Sequence, residues 1–177
     1  MNRRQRIDPP SRARRAARRL PGALLAVLLV ACGEPDVDLS PPPRAAGAQL
    51  HDEVGVVDPA VAERLAAVSE ASGLDVVGLV YEDERATLGQ ADRAGRLLLE
   101  AWDADIVLVA VAFPGDFANP DPDARQRFFG VASTDRFTVT RDLRERIVDE
   151  AVPPPAAAND WTAAFEAAVD ELAADLG

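Results

Sequence analysis

Three carboxylates fall in one short loop, and their chemistry is that of a divalent-cation site. Asp116, Asp121 and Asp123 follow the apolar run 106–113, and carboxylate oxygens are the ligands that Ca²⁺ and Mg²⁺ prefer. Loops that follow buried strands also carry binding sites in α/β folds. The spacing lacks the central glycine and closing glutamate of an EF-hand. A solvated acidic loop is therefore the favoured interpretation, and a calcium or magnesium site that includes Asp116 is the alternative.

A second pair of aspartates matches a phosphatase pattern. Residues 103–107 read Asp-Ala-Asp-Ile-Val, which fits the DxDx[TV] motif of aspartyl-phosphate phosphatases. That chemistry needs its aspartates at the carboxyl end of a buried strand, where ligands bind. Here the apolar run follows the aspartates instead of preceding them. We therefore interpret Asp103 and Asp105 as a solvated turn between a helix and a strand.

The only histidine lies in the segment His51-Asp52-Glu53, just before the apolar residues 54–57. A histidine-based zinc site or a Ser-His-Asp triad would have to use His51. We interpret the segment as a polar lead-in to an edge strand over residues 54–57.

Cys32 is the only cysteine, and it closes the run Leu-Val-Ala-Cys, which is a bacterial lipobox. Eight arginines precede it between Arg3 and Arg19, and an apolar run covers residues 20–31. These are the charged and apolar parts of an export signal. The apolar run has about a dozen residues, whereas a membrane-spanning helix needs about 20. The pattern predicts a lipoprotein signal peptide over residues 1–31 and lipidation of Cys32. The alternatives are an ordinary secretory signal or a buried structural cysteine.

Charge excludes several classes of function. The chain has 19 basic residues, all arginine, and 30 acidic residues. Eight arginines and one acid precede Cys32, so 11 basic and 29 acidic residues remain from there on, a formal charge of −18. A body this acidic will not bind nucleic acid, whose affinity comes from neutralised phosphates. Anionic lipid head groups also repel it, so a covalent anchor is what would hold it at a membrane.

A tether and one α/β domain follow the cysteine. Residues 32–49 are rich in proline, which predicts an extended linker. Residues 50–177 have the size of an ordinary single domain. Apolar runs predict strands over 75–81, 106–113 and 127–133, and capping residues predict helices that begin at Asp58, Thr87, Thr140 and Asp160. Because helices and strands alternate, we expect a layered α/β fold.

Several segments, taken in order, resemble the TPM-domain family. Residues 50–57 (LHDEVGVV) resemble its opening LxDxxGVL, and residues 75–80 (DVVGLV) resemble its first long strand. Residues 99–102 (LEAW) resemble its helix that ends in tryptophan, and residues 105–109 (DIVLV) resemble its DxVLLL strand entry. The chain from Asn159 through the final helix resembles its closing segment. The resemblance covers about residues 50–176.

The resemblance implies a single three-layer α/β/α sandwich with a mostly parallel central sheet. Members of the family include thylakoid-lumen proteins linked to photosystem II repair and acid phosphatase activity, and membrane-anchored bacterial proteins. Several bind divalent cations, calcium among them. By position, Asp52 and Asp105 match the family's acidic sites. This chain departs from the family where Ala132-Ser133-Thr134 replaces a Gly-x-Gly turn, and in its proline-rich insert 113–126.

Two functions follow as expectations, and the sequence leaves open whether the protein is an enzyme. The first is a lipid-anchored extracytoplasmic module of the cell envelope that binds a membrane-associated partner without catalysis. The second is an acid phosphatase in which Asp52, Asp105 and Asp116 hold calcium or magnesium, so that the ion polarises a phosphoryl oxygen.

Overall fold

The computed structural model describes residues 43–121 and 123–177. Cys32, the signal peptide and most of the tether lie outside the described residues. The sheet has four strands in the order β1-β2-β3-β4. Parallel pairing joins β1 (Leu50–Asp52), β2 (Val76–Glu82) and β3 (Ile106–Ala112), whereas β4 (Arg127–Ser133) runs antiparallel to β3. The prediction of an α/β domain with a mostly parallel sheet is confirmed.

Four of the helices begin at, or within two residues of, a predicted start, whereas the short helix over Pro153–Ala157 was not predicted. They are α1 (Ala60–Ser72), α2 (Leu88–Trp102), α3 (Arg141–Glu145), α4 (Pro153–Ala157) and α5 (Trp161–Leu176), with a π-helical segment over Arg146–Ala151. Thr87, Thr140 and Asp160 each accept a hydrogen bond from the backbone N–H three residues further on, at 3.2, 3.2 and 2.9 Å. These side chains satisfy N–H groups that have no partner inside the helix. Within the described residues, no helix is long and apolar enough to cross a membrane.

Side chains that alternate along the central strands divide the core into two clusters. In β3, Ile106, Leu108 and Ala110 pack into a cluster with α1 and α5, and the valines between them pack into a cluster with α2. Because both faces of these strands are buried, β2 and β3 have continuous apolar sequences instead of an alternating pattern.

Helix α2 lies unusually close to β4. A Cβ atom added at Gly95 would stand 2.7 Å from the Cβ of Ala132, and one added at Gly130 would stand 3.2 Å from the Cβ of Ala91. Both distances are shorter than an ordinary contact between carbon atoms, about 3.5–4.0 Å. The two glycines therefore set how closely α2 covers β4.

The edge strand is not where the sequence predicts it. Strand β1 consists of Leu50–Asp52, and residues 54–57 form the turn that follows it. The apolar residues 54–57 suggested a strand, but Asp52 binds the backbone of that segment and folds it away from the sheet.

Candidate functional site

Asp105 lies at the amino end of the sheet, directly before β3. Its Oδ2 accepts a hydrogen bond from the backbone N–H of Asp75 at 2.8 Å. Its own N–H donates to the carbonyl oxygen of Asp75 at 2.9 Å. Since Asp75 directly precedes β2, Asp105 ties together the starts of two neighbouring strands.

Asp52 lies at the end of β1, where its backbone is in register with Val80 of β2. Its carboxylate accepts hydrogen bonds from the N–H groups of Val54, Gly55 and Val57 at 2.9, 2.8 and 2.8 Å. Gly55 has a φ of +76°, which glycine adopts without a steric penalty. Asp52 therefore closes the turn after β1.

Asp116 lies beyond the carboxyl end of β3. Its Oδ1 accepts from the side-chain amide of Asn119 at 2.9 Å, and its Oδ2 accepts from the N–H of Gln126 at 2.7 Å. The hydrogen bond from Asn119, followed by that from Gln126, holds the pKa of Asp116 below the usual aspartate value. Asp116 therefore closes the loop that carries the chain from β3 to β4.

The three aspartates do not share one site. Asp105 precedes β3 and Asp116 follows it, so the seven residues of β3 separate them, about 20 Å of extended chain. Within residues 43–121 and 123–177, no group of three or more His, Cys, Asp or Glu side chains could hold a metal ion. The set Asp52, Asp105 and Asp116 does not fit a single calcium or magnesium ion, and we derive no catalytic step through one.

Two arginines lie together at the carboxyl end of the sheet. Arg125 donates to Oδ1 of Asn159 at 2.8 Å and to the carbonyl oxygen of Ala157 at 2.9 Å. Arg127 also donates to Oδ1 of Asn159, and to the carbonyl oxygen of Ala156 at 2.9 Å. All of these acceptors are uncharged. In the part of the chain that the structure describes, no carboxylate forms an ion pair with either guanidinium.

Within residues 43–121 and 123–177, no ion pair neutralises the positive charge of these two arginines. Burial, followed by the charge of Arg125, lowers the pKa of Arg127, and the charge of Asp116 opposes this shift. The Arg127 guanidinium lies over the ring of Trp161, 5.4 Å from its centroid, which is a cation–π contact. Asn159 has a φ of +62°, in a left-handed region where asparagine is enriched. In this conformation, the Oδ1 atom of Asn159 accepts hydrogen bonds from both Arg125 and Arg127.

The arginine pair lines a cleft of about 330 Å³. Its other walls are mainly apolar and include Leu88, Phe129, Val152 and Trp161. This volume is at the lower end of the range for small ligand sites, about 300–1,000 Å³. The cleft is lined by the first residues of β4 and by the start of α2, and by no residue of the parallel strands β1 to β3. Trp161 is only 3% exposed, and its Nε1–H has no acceptor among the described residues.

Sequence analysis did not find this site. Trp161 also belongs to the core, since its ring packs edge-to-face on Phe117 with centroids 4.8 Å apart. The available signal was the run Arg-Gln-Arg at 125–127, directly after an acidic loop. Asn159, the residue that joins the two arginines, is 34 and 32 positions away in the chain, so no local motif reveals it.

No protein-family model matches the chain, and no curated protein matches it. The chain is similar to a solved structure, the N-terminal domain of the cg2496 protein from Corynebacterium glutamicum, determined by solution NMR. The TM-score is 0.52 at 12% identity, and the match covers 78% of this chain and 86% of that chain. At this identity the likeness shows the fold alone, and it agrees with the α/β class described above.

Proposed function

We propose that the protein is a lipid-anchored, extracytoplasmic, TPM-like domain that binds a membrane-associated partner in the cell envelope and is not an enzyme. The observation that carries the binding role is the cleft beside Arg125 and Arg127. It combines apolar walls with two positive charges that have no ion-pair partner in the part of the chain that the structure describes. The lipobox at Cys32 supports the location.

The charge distribution supports selective binding. From Cys32 onward the chain carries a formal charge of −18, so most of its surface repels anionic molecules. A partner that presents an anionic group beside apolar side chains would therefore bind at this cleft in preference to the rest of the surface. Complementary charges of this kind confer specificity and a faster association rate more than raw affinity.

The anchor is tested by fractionation of host cells that produce the full chain. Replacement Cys32→Ser should move the protein from the membrane fraction to the soluble fraction, because stable anchoring needs more than one acyl chain. The lipoprotein resemblance implies that the modified cysteine carries more than one acyl chain. A Cys32→Ser protein that stays in the membrane fraction would contradict the proposed anchor.

The partner is tested by site-specific photo-crosslinking in intact membranes. A photoreactive residue at Leu88, which lines the cleft and is 51% exposed, should give one major protein adduct. The same residue at the exposed position Glu63 of α1 should not give it. Replacement Arg127→Gln should weaken the Leu88 adduct. Identical adducts from both positions would count against a binding cleft.

The acid phosphatase remains the alternative prediction. It is tested by assay of the purified chain with a phosphomonoester, with and without calcium or magnesium. Turnover that requires the metal and disappears in Asp105→Asn, but persists in the exposed-loop control Asp121→Asn, would contradict the non-enzymatic proposal. We expect no turnover under any of these conditions.

A further inference from the structure

Half of the N–H donors of Arg125 and Arg127 have no acceptor in the described part of the chain. A guanidinium carries five N–H groups in a planar fork. Arg125 donates three of them, and Arg127 donates two. Because both arginines line the cleft, the remaining donors can serve a ligand there. A planar fork of this kind matches the two oxygen atoms of a carboxylate.

A negative charge lies close to the two arginines and sets the charge of the ligand that fits. Asp116 accepts a hydrogen bond from the backbone N–H of Gln126, the residue between Arg125 and Arg127, at 2.7 Å. Its charge acts on Arg127. The three charged side chains therefore leave one net positive charge, which suits a ligand with a single negative charge. A phosphate monoester carries about −1.5 to −2 at pH 7 and would be repelled more strongly by Asp116.

The walls of the cleft that a ligand can touch are apolar. Leu88 is 51% exposed, and Phe128 and Val148 are half-buried. The cleft, of about 330 Å³, has room for about ten groups the size of a water molecule, at ~30 Å³ each. One apolar residue with its carboxylate has this size, whereas a helix or a longer peptide does not fit.

One backbone acceptor of the cleft is incompletely used. The carbonyl oxygen of Ala157, an exposed residue that lines the cleft, accepts a hydrogen bond from Arg125 at 2.9 Å and from no other described residue. A carbonyl oxygen has two lone pairs. The second lone pair can accept an N–H group of the ligand.

We infer that the cleft binds the carboxyl terminus of a partner protein whose last residue is apolar. The terminal carboxylate lies on Arg125 and Arg127, and the last side chain packs on Leu88 and Phe128. The N–H of the last residue donates to the carbonyl oxygen of Ala157. The inference rests on the proposed binding function and names the part of the partner that is bound. Capture of a C-terminal carboxylate is an established mode of peptide recognition.

An acidic side chain in the middle of a partner chain suits the cleft less well. The chain on both sides of such a residue would have to leave a cleft that has room for about one residue, whereas a terminal residue leaves on one side only. A terminal residue also carries its carboxylate, its N–H and its side chain on the same Cα atom. One residue can therefore use the arginines, Ala157 and Leu88 together.

The first test titrates the purified full chain with N-acetyl-L-leucine, which has a carboxylate, an N–H and an apolar side chain on one residue. Binding is followed by NMR of the arginine Nε–H groups. N-acetyl-L-leucinamide, the uncharged control, should bind at least tenfold more weakly, because it lacks the charged acceptor. Acetate should also bind about tenfold more weakly, because it lacks the apolar side chain. Inorganic phosphate should bind more weakly than N-acetyl-L-leucine.

Variants of the chain test the same contacts from the other side. Arg125→Gln and Arg127→Gln should each weaken binding of N-acetyl-L-leucine about tenfold. Leu88→Ala should weaken binding of N-acetyl-L-leucine but leave acetate binding unchanged. Arg96→Gln, at an exposed position of α2 that does not line the cleft, removes the same charge and should change neither. If an arginine variant fails to fold, as checked by circular dichroism, the comparison of acid and amide on the natural chain still decides.

The source of the carboxylate is tested with a longer ligand and in membranes. N-acetyl-L-leucyl-L-leucine should bind at least as tightly as N-acetyl-L-leucine, because the added residue leaves the cleft on the amino side. Mass spectrometry of the protein adduct formed at Leu88 should map it to the last residues of the partner. An excess of N-acetyl-L-leucine, but not of its amide, should reduce the adduct.

Four results would overturn the inference: equal binding of acid and amide, tighter binding of phosphate, a dipeptide that binds tenfold more weakly than N-acetyl-L-leucine, or an adduct that maps to an internal segment of the partner. The third would show that the cleft takes only a free small acid. Failure of the proposed function is distinguishable from these results. Selective binding of N-acetyl-L-leucine without any membrane adduct from Leu88 contradicts the proposed function. An adduct that Arg127→Gln weakens but that maps to an internal segment contradicts this inference alone.

Discussion

The two ends of the sheet use arginine in different ways. At the amino end, Arg44 binds both carboxylate oxygens of Asp75, and its Nε donates to the carbonyl oxygen of Ala48 at 2.9 Å. At the carboxyl end, Arg125 and Arg127 donate only to uncharged oxygens of Asn159 and of the backbone. Asp75 therefore neutralises the charge of Arg44 at the amino end. At the carboxyl end, no ion pair among the described residues neutralises the charges of Arg125 and Arg127.

The pKa shifts of the arginines follow the same division. The hydrogen bond to Asp75 raises the pKa of Arg44 above its usual value. Burial lowers the pKa of Arg127, and the neighbouring Arg125 lowers it further. A bidentate arginine–carboxylate pair is among the stronger interactions in proteins, so Arg44 serves stability. An arginine that is partly buried without a carboxylate partner gains from an anionic ligand, which agrees with the binding role that we propose for Arg127.

The largest expected effect comes from the floor of the cleft at the carboxyl end. Trp161→Ala should lower the free energy of unfolding by about 3–5 kcal/mol, because it leaves a large cavity beside Phe117. Trp161→Phe keeps an aromatic ring and should cost much less. Urea denaturation of both variants checks this. Equal losses from the two replacements would show that packing of the ring is not what stabilises this end.

At the amino end, Asp75→Asn should lower the free energy of unfolding at pH 7 by about 1–2 kcal/mol, the value of a partly exposed charged hydrogen bond. The pKa of Asp75 is lowered in the folded chain, mainly by its hydrogen bond to Arg44. Its contribution is therefore complete above the ordinary value of 3.8 and is lost as the pH falls through the lower, folded value.

The difference in stability between the natural chain and Asp75→Asn should accordingly shrink in acid, which urea midpoints at neutral and acidic pH would show. Asp121→Asn, in the exposed loop, is the matched control and should change little at any pH. A difference in stability that stays constant from neutral pH to pH 3 would contradict a stabilising ion pair between Arg44 and Asp75.

The smallest effect on stability is expected from Arg125→Gln, which should cost about 0.5–1 kcal/mol because only hydrogen bonds to neutral acceptors are lost. Arg44→Gln should cost more than this in the same denaturation experiment. The order of the two losses in free energy of unfolding tests whether arginine contributes more to stability at the amino end of the sheet than at the carboxyl end. A larger loss from Arg125→Gln would assign that arginine a structural role instead of a binding role.

The regular elements were predictable because their signals are local. The eight-residue apolar run that becomes β3 and the capping residues of α2 and α5 identify themselves without tertiary information. Strand β1 was not predictable, because its three residues, Leu50–Asp52, are only half-buried and are less apolar than the turn after them. Its pairing with Gly78, Leu79 and Val80 of β2 defines it as a strand, and that pairing is a long-range contact.

The candidate site was less predictable than the fold. The sequence shows that Asp116 follows a strand, but it does not show that backbone N–H groups occupy the carboxylate oxygens of Asp52 and Asp116. Nor does it show that Asn159 joins Arg125 to Arg127. The partners of these polar groups depend on how distant segments pack, whereas hydrophobic periodicity depends on neighbours in the chain.

Titration of the full chain with acetate at constant ionic strength, followed by NMR of the arginine Nε–H groups, tests the contrast between the two ends of the sheet most directly. The signals of Arg125 and Arg127 should shift, because no carboxylate pairs with either guanidinium among the described residues. The signal of Arg44 should stay in place, because Asp75 already occupies its guanidinium. Equal shifts of all three signals, or a shift of Arg44 alone, would contradict the contrast.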